Sequence, residues 1–310
     1  MISRKSTMKH LAPLLLAVLA FDACGNYSNE DLDFQLALPE DGELEAKLPQ
    51  ALTTDTSSEY YKLTRQVVTT FNGLATALVS LVDRVRSFSP TSRNGDERIW
   101  GPFADDKHPG WQIQVAMVRL ADPSAPPPAF QVFYSIQLRD TTQSGSAFFE
   151  FMSGTYKSSG SARRGEGQMH LFVQTARDAG YPADDFGDLA QLDLAYQTAS
   201  YPIDVHMVVQ NVASATSRGA DYAYAENADG SGTLAFDWTV DAVPGLPGAT
   251  DVTFTSRWLG SGAGRADAYL PLLTGNAAVG TDCWGADTLP DYVWRWNGEG
   301  DFGSADSCVF

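Results

Sequence analysis

The sequence predicts an α+β fold in which one amphipathic helix packs on a large curled antiparallel sheet, a half-barrel or barrel of about ten strands. Over residues 58–87, apolar side chains recur three and four positions apart, which is typical of a helix with one buried face. From Trp111 onwards, segments alternate apolar and polar side chains, which is typical of antiparallel strands with one wet face. Because a twisted sheet of ten strands rarely stays open and flat, we expect it to curl.

Residues 1–23 are predicted to be a secretory signal. Arg4, Lys5 and Lys9 precede an apolar run of eleven residues, Leu11–Phe21. This run is too short to span a bilayer, which takes about 20 apolar residues. A basic start, a short apolar run and small residues at its end are typical of exported proteins.

Cys24 is the candidate lipidation site. It directly follows Ala23, and this arrangement resembles the lipobox of bacterial lipoproteins, which are cleaved before the cysteine that carries diacylglycerol. Phe21 and Asp22 depart from the leucine and the small residue that are usual at those positions. The alternative is an ordinary cut after Ala20 or Ala23, which would leave Cys24 as a free thiol.

The chain has three cysteines, Cys24, Cys283 and Cys308. An odd number in an exported protein leaves one cysteine to explain. If Cys24 carries lipid, Cys283 and Cys308 can form one disulfide, which suits an oxidising compartment. Two unpaired buried thiols are the alternative. Zinc binding is not expected, because the two cysteines are far apart and no histidine is near them.

Residues 24–57 are predicted to be an acidic tether. Apolar side chains alternate from Phe34 to Leu38 and again from Leu44 to Leu48, on either side of an Asp-Gly pair. Such alternation indicates a hairpin. An extended segment lying on the domain is the alternative, and a lipid-anchored protein would use it as a spacer from the membrane.

Residues 58–310 are predicted to form a single domain. Its helix is expected to end near Ser87, and its strands follow between Trp111 and Leu270. Repeated Gly-x-Gly sequences, such as the one that ends at Gly264, are expected to form hairpin turns or adjoining bulges. The aromatic segment 281–310 is predicted to be a terminal flap, which the disulfide ties to the sheet.

The chain is strongly acidic. Its 38 Asp and Glu residues against 21 Lys and Arg residues give a net charge of −17. Such a chain repels phosphate backbones, so nucleic acid is not an expected partner. The expected partners are the membrane lipid around the anchor and an apolar ligand, and the sequence identifies no protein partner.

The sequence shows no catalytic or cofactor motif that outweighs an ordinary structural explanation. It contains no Gly-x-Ser-x-Gly, P-loop or His-Glu-x-x-His motif, so we predict a non-enzymatic protein with no catalytic residue, metal or cofactor. His108, His170 and His206 lie outside the signal, and the last two fall on polar strand positions. His170 and His206 would form a metal or proton-transfer pair on neighbouring strands, or they would be ordinary surface histidines. The acidic patterns at 227–238 and 297–301 lack the closing carboxylate of a calcium loop.

Four sequence phrases carry a family resemblance: Trp100-Gly-Pro-Phe103, Arg257–Asp267, Asp282-Cys-Trp284 and Gly303–Cys308. From about Gln66 to the end, they resemble a group of uncharacterised lipoproteins from myxobacteria and related Gram-negative bacteria. The resemblance implies an outer-membrane lipoprotein, either periplasmic or surface-exposed. A helix facing a curled sheet is also similar to the lipoprotein carriers LolA and LolB, whose concave side holds acyl chains. Likeness of architecture does not by itself give function.

Three functions are therefore expected in turn. The first is binding of an apolar ligand or lipid between helix and sheet, because the apolar stripe from Val68 to Val85 faces aromatic-rich strands. The second is a structural or surface-interaction lipoprotein with a solid core. The third is a carbohydrate-binding or carbohydrate-active protein, in which tail residues such as Trp294 and Trp296 would stack on sugar rings.

Overall fold

Most of the chain forms one antiparallel sheet. The computed structural model describes residues 28–40, 42–49, 54–83, 88–121, 130–159, 161, 163–212, 219–240, 250–275 and 277–308. The predicted signal and Cys24 therefore lie outside the described residues, as does the predicted end of the long helix at 84–87. Every strand pairs antiparallel with its neighbour in sequence. The strands are β1 Ser92–Asn94, β2 Glu97–Ala104, β3 Trp111–Ala121, β4 Phe130–Asp140, β5 Phe149–Ser158, β6 Gly165–Leu171, β7 Leu189–Gln197, β8 Ile203–Asn211, β9 Gly219–Glu226, β10 Gly232–Val240, β11 Thr250–Trp258, β12 Gly264–Tyr269, β13 Ala278–Trp284, β14 Pro290–Arg295 and β15 Phe302–Gly303.

The helices lie before the sheet or between its strands. They are α1 Asn29–Leu36, α2 Glu59–Asp83, α3 Val173–Asp178 and α4 Pro271–Thr274, with short 3-10 turns at Asp184–Phe186 and Ala305–Ser307. Within the described ranges, none of these helices has the length and apolar character needed to cross a bilayer.

The predicted fold class is wrong in strand number and in shape. The described sheet has fifteen strands rather than about ten, and it is neither closed nor strongly curled, because β1 and β15 stand at opposite ends. Residues 281–310 were predicted to be a flap, whereas β13 to β15 continue the sheet. Two strands were not predicted: β9, whose sequence alternates alanine with tyrosine, and β2, whose pairing is interrupted between Trp100 and Phe103.

The sheet buries its apolar face without closing into a barrel. A curl was expected because a twisted sheet of about ten strands rarely stays open and flat. Instead α1, residues 42–49, α2 and α3 all contribute buried side chains to a single core with the strands. Several covering segments therefore bury the apolar face of a sheet that stays open.

The predicted hairpin at 34–48 is also wrong. Its first half is helix α1, which begins with a capping box between Ser28 and Asp31 and buries Phe34 completely. Residues 42–49 do lie on the domain, as the alternative stated. The backbone N–H of Ala46 donates to the side chain of Asn72 on α2 at 2.7 Å. Residues 28–40 and 42–49 are thus part of the folded body.

Helix α2 packs its apolar stripe directly on the sheet. Phe71 is fully buried, and its ring centroid lies 5.8 Å from that of Tyr222 and 6.1 Å from that of Tyr224. Near the start of α2, the ring of Tyr61 lies 5.6 Å from that of Trp284 on β13. These contacts define the covered face of the sheet.

Glycines on the covered face lie under aromatic rings. In each case the ring belongs to the direct cross-strand partner, and an ideal Cβ on the glycine would come within 2.2–2.7 Å of it. The pairs are Gly154 with Tyr134, Gly167 with Tyr196, Gly232 with Trp258, and Gly264 with Trp284. The second glycine of each Gly-x-Gly sequence is therefore a strand residue rather than a turn residue, whereas Gly230 and Gly262 lie in turns with positive φ, as predicted.

Candidate functional site

The sheet has an outer face, turned away from α2, and this face carries a long hollow. On β8, Val205 and Met207 are buried on the covered side, whereas Asp204 and His206 point outward and are exposed. Two adjoining cavities of about 560 and 610 Å³ share Asp204 and His206. We call these two cavities together the outer groove, and it extends from β4 to β12.

The β8–β12 half of the outer groove has a floor of small side chains with polar groups around it. Ala223, Ala225 and Ala235 supply the floor. Thr233, Thr255, Arg257, Tyr269 and the Arg265–Asp267 pair supply hydroxyl, guanidinium and carboxylate groups. The Arg265 Nη2 to Asp267 Oδ1 distance is 2.8 Å, and the hydrogen bond that Arg265 donates to Asp267 raises the pKa of Arg265.

The β4–β8 half of the outer groove is richer in amides. Its lining includes Gln131, Gln168 and Gln197, together with Lys157 and Glu166. Amide side chains offer both donors and acceptors of hydrogen bonds. This half therefore has mixed hydrogen-bonding character with charges of both signs.

The three histidines outside the predicted signal each pair with an aspartate. His206 Nε2 lies 2.7 Å from Asp221 Oδ1, and His170 Nδ1 lies 2.7 Å from Asp193 Oδ1, both on the outer face. His108 Nδ1 lies 2.9 Å from Asp105 Oδ2, away from the groove.

The structure does not join His170 and His206 into one site. Strand β7 separates their strands, β6 and β8, and each histidine has its own carboxylate. Among the described residues, no group of three His, Cys, Asp or Glu side chains is placed to hold a metal ion.

The predicted tail residues divide between the two faces. Cys283 and Cys308 form a disulfide with a Cα–Cα distance of 5.5 Å, and Cys308 Sγ lies 4.0 Å from Arg265 Nη1. Trp284 is buried on the covered face, whereas Trp296 is 71% exposed. Trp294 is half-buried and lies opposite Thr281 of β13, two strands beyond the Arg265–Asp267 pair of β12.

A third cavity, of about 520 Å³, lies at the N-terminus of α2, but its central carboxylate already has partners. Asp282 is fully buried and accepts hydrogen bonds from Ser58 Oγ at 2.7 Å and from the Tyr60 N–H at 3.0 Å. Arg295 Nη1 donates to its other oxygen at 2.6 Å. An acid at the start of a helix is favourable for the helix dipole. This cluster therefore anchors α2 to β13 and β14.

Comparisons with known proteins do not identify the chain. No protein-family model, no curated protein and no solved structure matches it. The resemblance to myxobacterial lipoproteins therefore stays a prediction.

The outer groove was not predicted from the sequence. Alternation identified its residues as a solvent-facing side of the sheet, but period-two patterning carries no information about the depth of a groove.

Proposed function

We propose that the protein is a lipid-anchored protein of the cell envelope that binds a neutral carbohydrate in the outer groove. The observation that carries the proposal is the mixed polar lining of this groove over a floor of alanines. Each sugar hydroxyl both donates and accepts hydrogen bonds, so its recognition needs donors and acceptors side by side. The groove offers Gln168, Gln197, Thr233 and Thr255 for this purpose, with Asp204 at its middle.

The same lining disfavours other classes of ligand. An apolar ligand would strip water from the charged and amide groups of the groove without replacing their hydrogen bonds. A polyanion would meet a chain with a net charge of −17. A neutral polyol avoids both penalties.

One aromatic side chain lines the groove, and a second lies on the same face two strands beyond its β12 end. Tyr269 lines the groove itself. Trp294, on β14, projects from the outer face across from Thr281. Aromatic rings combine a broad apolar surface with a polar edge, which suits contact with a sugar ring.

The predicted binding of an apolar ligand between helix and sheet remains untested. We do not base the proposal on it, because Phe71, Leu78 and Val82 of α2 are buried in the same core as the strand residues. The proposal develops the third predicted function in its binding form.

The anchor is tested at Cys24. Replacing Cys24 by Ser is expected to release the protein from the outer-membrane fraction and to abolish labelling with tritiated palmitate. The matched control is Cys308→Ser, which removes a different sulfur and should leave the labelling unchanged. Labelling that persists in the Cys24→Ser protein would show that the anchor assignment is wrong.

Sugar binding is tested by a glycan array followed by titration calorimetry with each hit. Ala223→Arg would fill the floor of the groove and should weaken binding at least tenfold. The control is Ala116→Arg on β3, an outer-face alanine outside the groove, which should bind like the parent. A silent array, or equal binding by the Ala223→Arg protein, would contradict the proposal.

A further inference from the structure

The folded body begins very close to the predicted lipidation site. Ser28 caps α1, so only four residue steps separate Cys24 from the folded body. A chain of four residues spans at most about 14 Å. Residues after Ser28 therefore do not act as a free spacer, because α1 begins there. A lipid on Cys24 would keep the start of α1 near the bilayer surface.

Helix α1 is fixed to one corner of the sheet. Asp31 is fully buried and lies 2.6 Å from Arg98 Nε and 3.1 Å from Arg93 Nη2. Two residues further along α1, Asp33 Oδ2 lies 2.8 Å from Arg119 Nη1. These ion pairs connect α1 to β1, β2 and β3, so the corner cannot move away from the anchor independently.

The same corner exposes large apolar side chains. Val118 and Leu120, on either side of Arg119, are 36% and 50% exposed, and Phe133, the cross-strand partner of Val118, is 40% exposed. Leu32, next to Asp33 on α1, is 44% exposed, but α1 packs on the covered face of the sheet, so Leu32 does not join these three outer-face residues. We call Val118, Leu120 and Phe133 the corner patch. Clustered exposed apolar side chains commonly mark an interaction surface.

We propose that the corner patch contacts the bilayer that holds the Cys24 lipid. The inference rests on the anchor of the proposed function, and the short reach from Cys24 to Ser28 selects the bilayer as the occupant. Arg119, between Val118 and Leu120 in sequence, faces the covered side and is already paired with Asp33 and with Asp96 at 3.0 Å. Contact should therefore depend on apolar insertion rather than on anionic lipid.

The test uses the full lipidated chain in phosphatidylcholine vesicles. A nitroxide spin label on Leu120→Cys reports contact with lipid through its accessibility to a water-soluble nickel chelate and to oxygen. The control is Leu259→Cys, an exposed leucine just after β11, far along the sheet from the corner. In vesicles, the label at 120 should become several-fold less accessible to nickel and more accessible to oxygen, whereas the label at 259 should not change.

The outcomes separate this inference from the anchor. Intact mass spectrometry first establishes that Cys24 carries acyl chains, and a chain without them overturns the anchor and this inference together. With acyl chains present, equal nickel accessibility at 120 and 259 overturns the corner contact alone. Close dipolar coupling between labels at 120 would identify a second copy of the chain as the occupant and would also overturn it.

Discussion

Gly264 lies directly opposite Trp284 in the sheet, and the indole ring occupies the space above the glycine. An ideal Cβ at residue 264 would fall 2.4 Å from Cζ2 of Trp284. The indole N–H in turn donates to the carbonyl of Gly262 at 3.0 Å. Glycine is thus required here by the ring of its partner, and aromatic cover of strand glycines is a known way to stabilise sheets.

Replacing Gly264 by Ala is expected to lower the free energy of unfolding by about 1–3 kcal/mol, because the added methyl overpacks the buried indole. The control is Gly73→Ala in α2, where a Cβ would meet nothing within 4 Å. Since alanine is the better helix former, this change should stabilise the protein by about 0.5–1 kcal/mol. Urea unfolding measures both, and two changes of the same sign would contradict the explanation.

Replacing Asp31 by Asn is expected to destabilise the protein by about 3–5 kcal/mol, because it removes the only buried countercharge of the Arg98 guanidinium among the described residues and leaves it the exposed Glu30 at 3.1 Å. Arg98 has a side chain that is only 3% exposed. The matched control on the same helix is Asp33→Asn. The ion pair between Asp33 and Arg119 is partly exposed, so its loss should cost at most about 1 kcal/mol. Thermal and urea unfolding would measure the difference, and similar losses would argue against a buried pair.

The stability contributed by Asp31 should also depend on pH. Burial alone would raise the pKa of its carboxyl, but hydrogen bonds from Arg93, Arg98 and the Ser28 N–H outweigh burial and lower it from 3.8 to about 2. A group with a lowered folded-state pKa stabilises the fold above its unfolded pKa, and this contribution disappears as pH falls through the folded value. Between pH 4 and pH 2, the parent should therefore lose about 2 kcal/mol more than the Asp31→Asn variant. Parallel pH profiles for the two proteins would refute this assignment.

Removing the disulfide should loosen the end of the chain. The bridge joins residues 25 positions apart, and loop-closure entropy assigns it about 3 kcal/mol at most. The loss in Cys308→Ser should concentrate at 302–308, which is largely exposed. Hydrogen exchange should show faster exchange there than in β6 or β7, and uniform acceleration across the sheet would contradict a local effect. Cys24→Ser, which leaves the bridge intact, is the control.

The long helix and many strands could be predicted because their patterns are long and regular. The stripe that includes Phe71 and Leu78 predicted a helix, and α2 occupies 59–83. Helix α1 was not predicted because it is only eight residues long, and because its Leu32, Phe34 and Leu36 alternate with polar residues as in a strand. The signal that could have found it is the capping box, in which an acid stands three residues after Ser28.

The candidate site could not be predicted, for a different reason. The sequence places Asp204 and His206 on a polar face, but a groove depends on how neighbouring strands are offset and on small residues such as Ala223 between them. Cross-strand register decides which residues meet, and the sequence of one strand does not contain it. The disulfide, in contrast, was predicted from the count of three cysteines together with the assignment of Cys24 as the lipid site.

The two outermost strands are very short: β1 has three residues and β15 has two. A sheet this wide and open presents two borders whose unpaired backbone groups can recruit strands from other molecules, and short border strands limit that recruitment. The protection would matter most for molecules crowded on one surface by a shared anchor, where collisions are frequent. The short β1 and β15 therefore leave this open sheet little border for edge-to-edge pairing with other molecules.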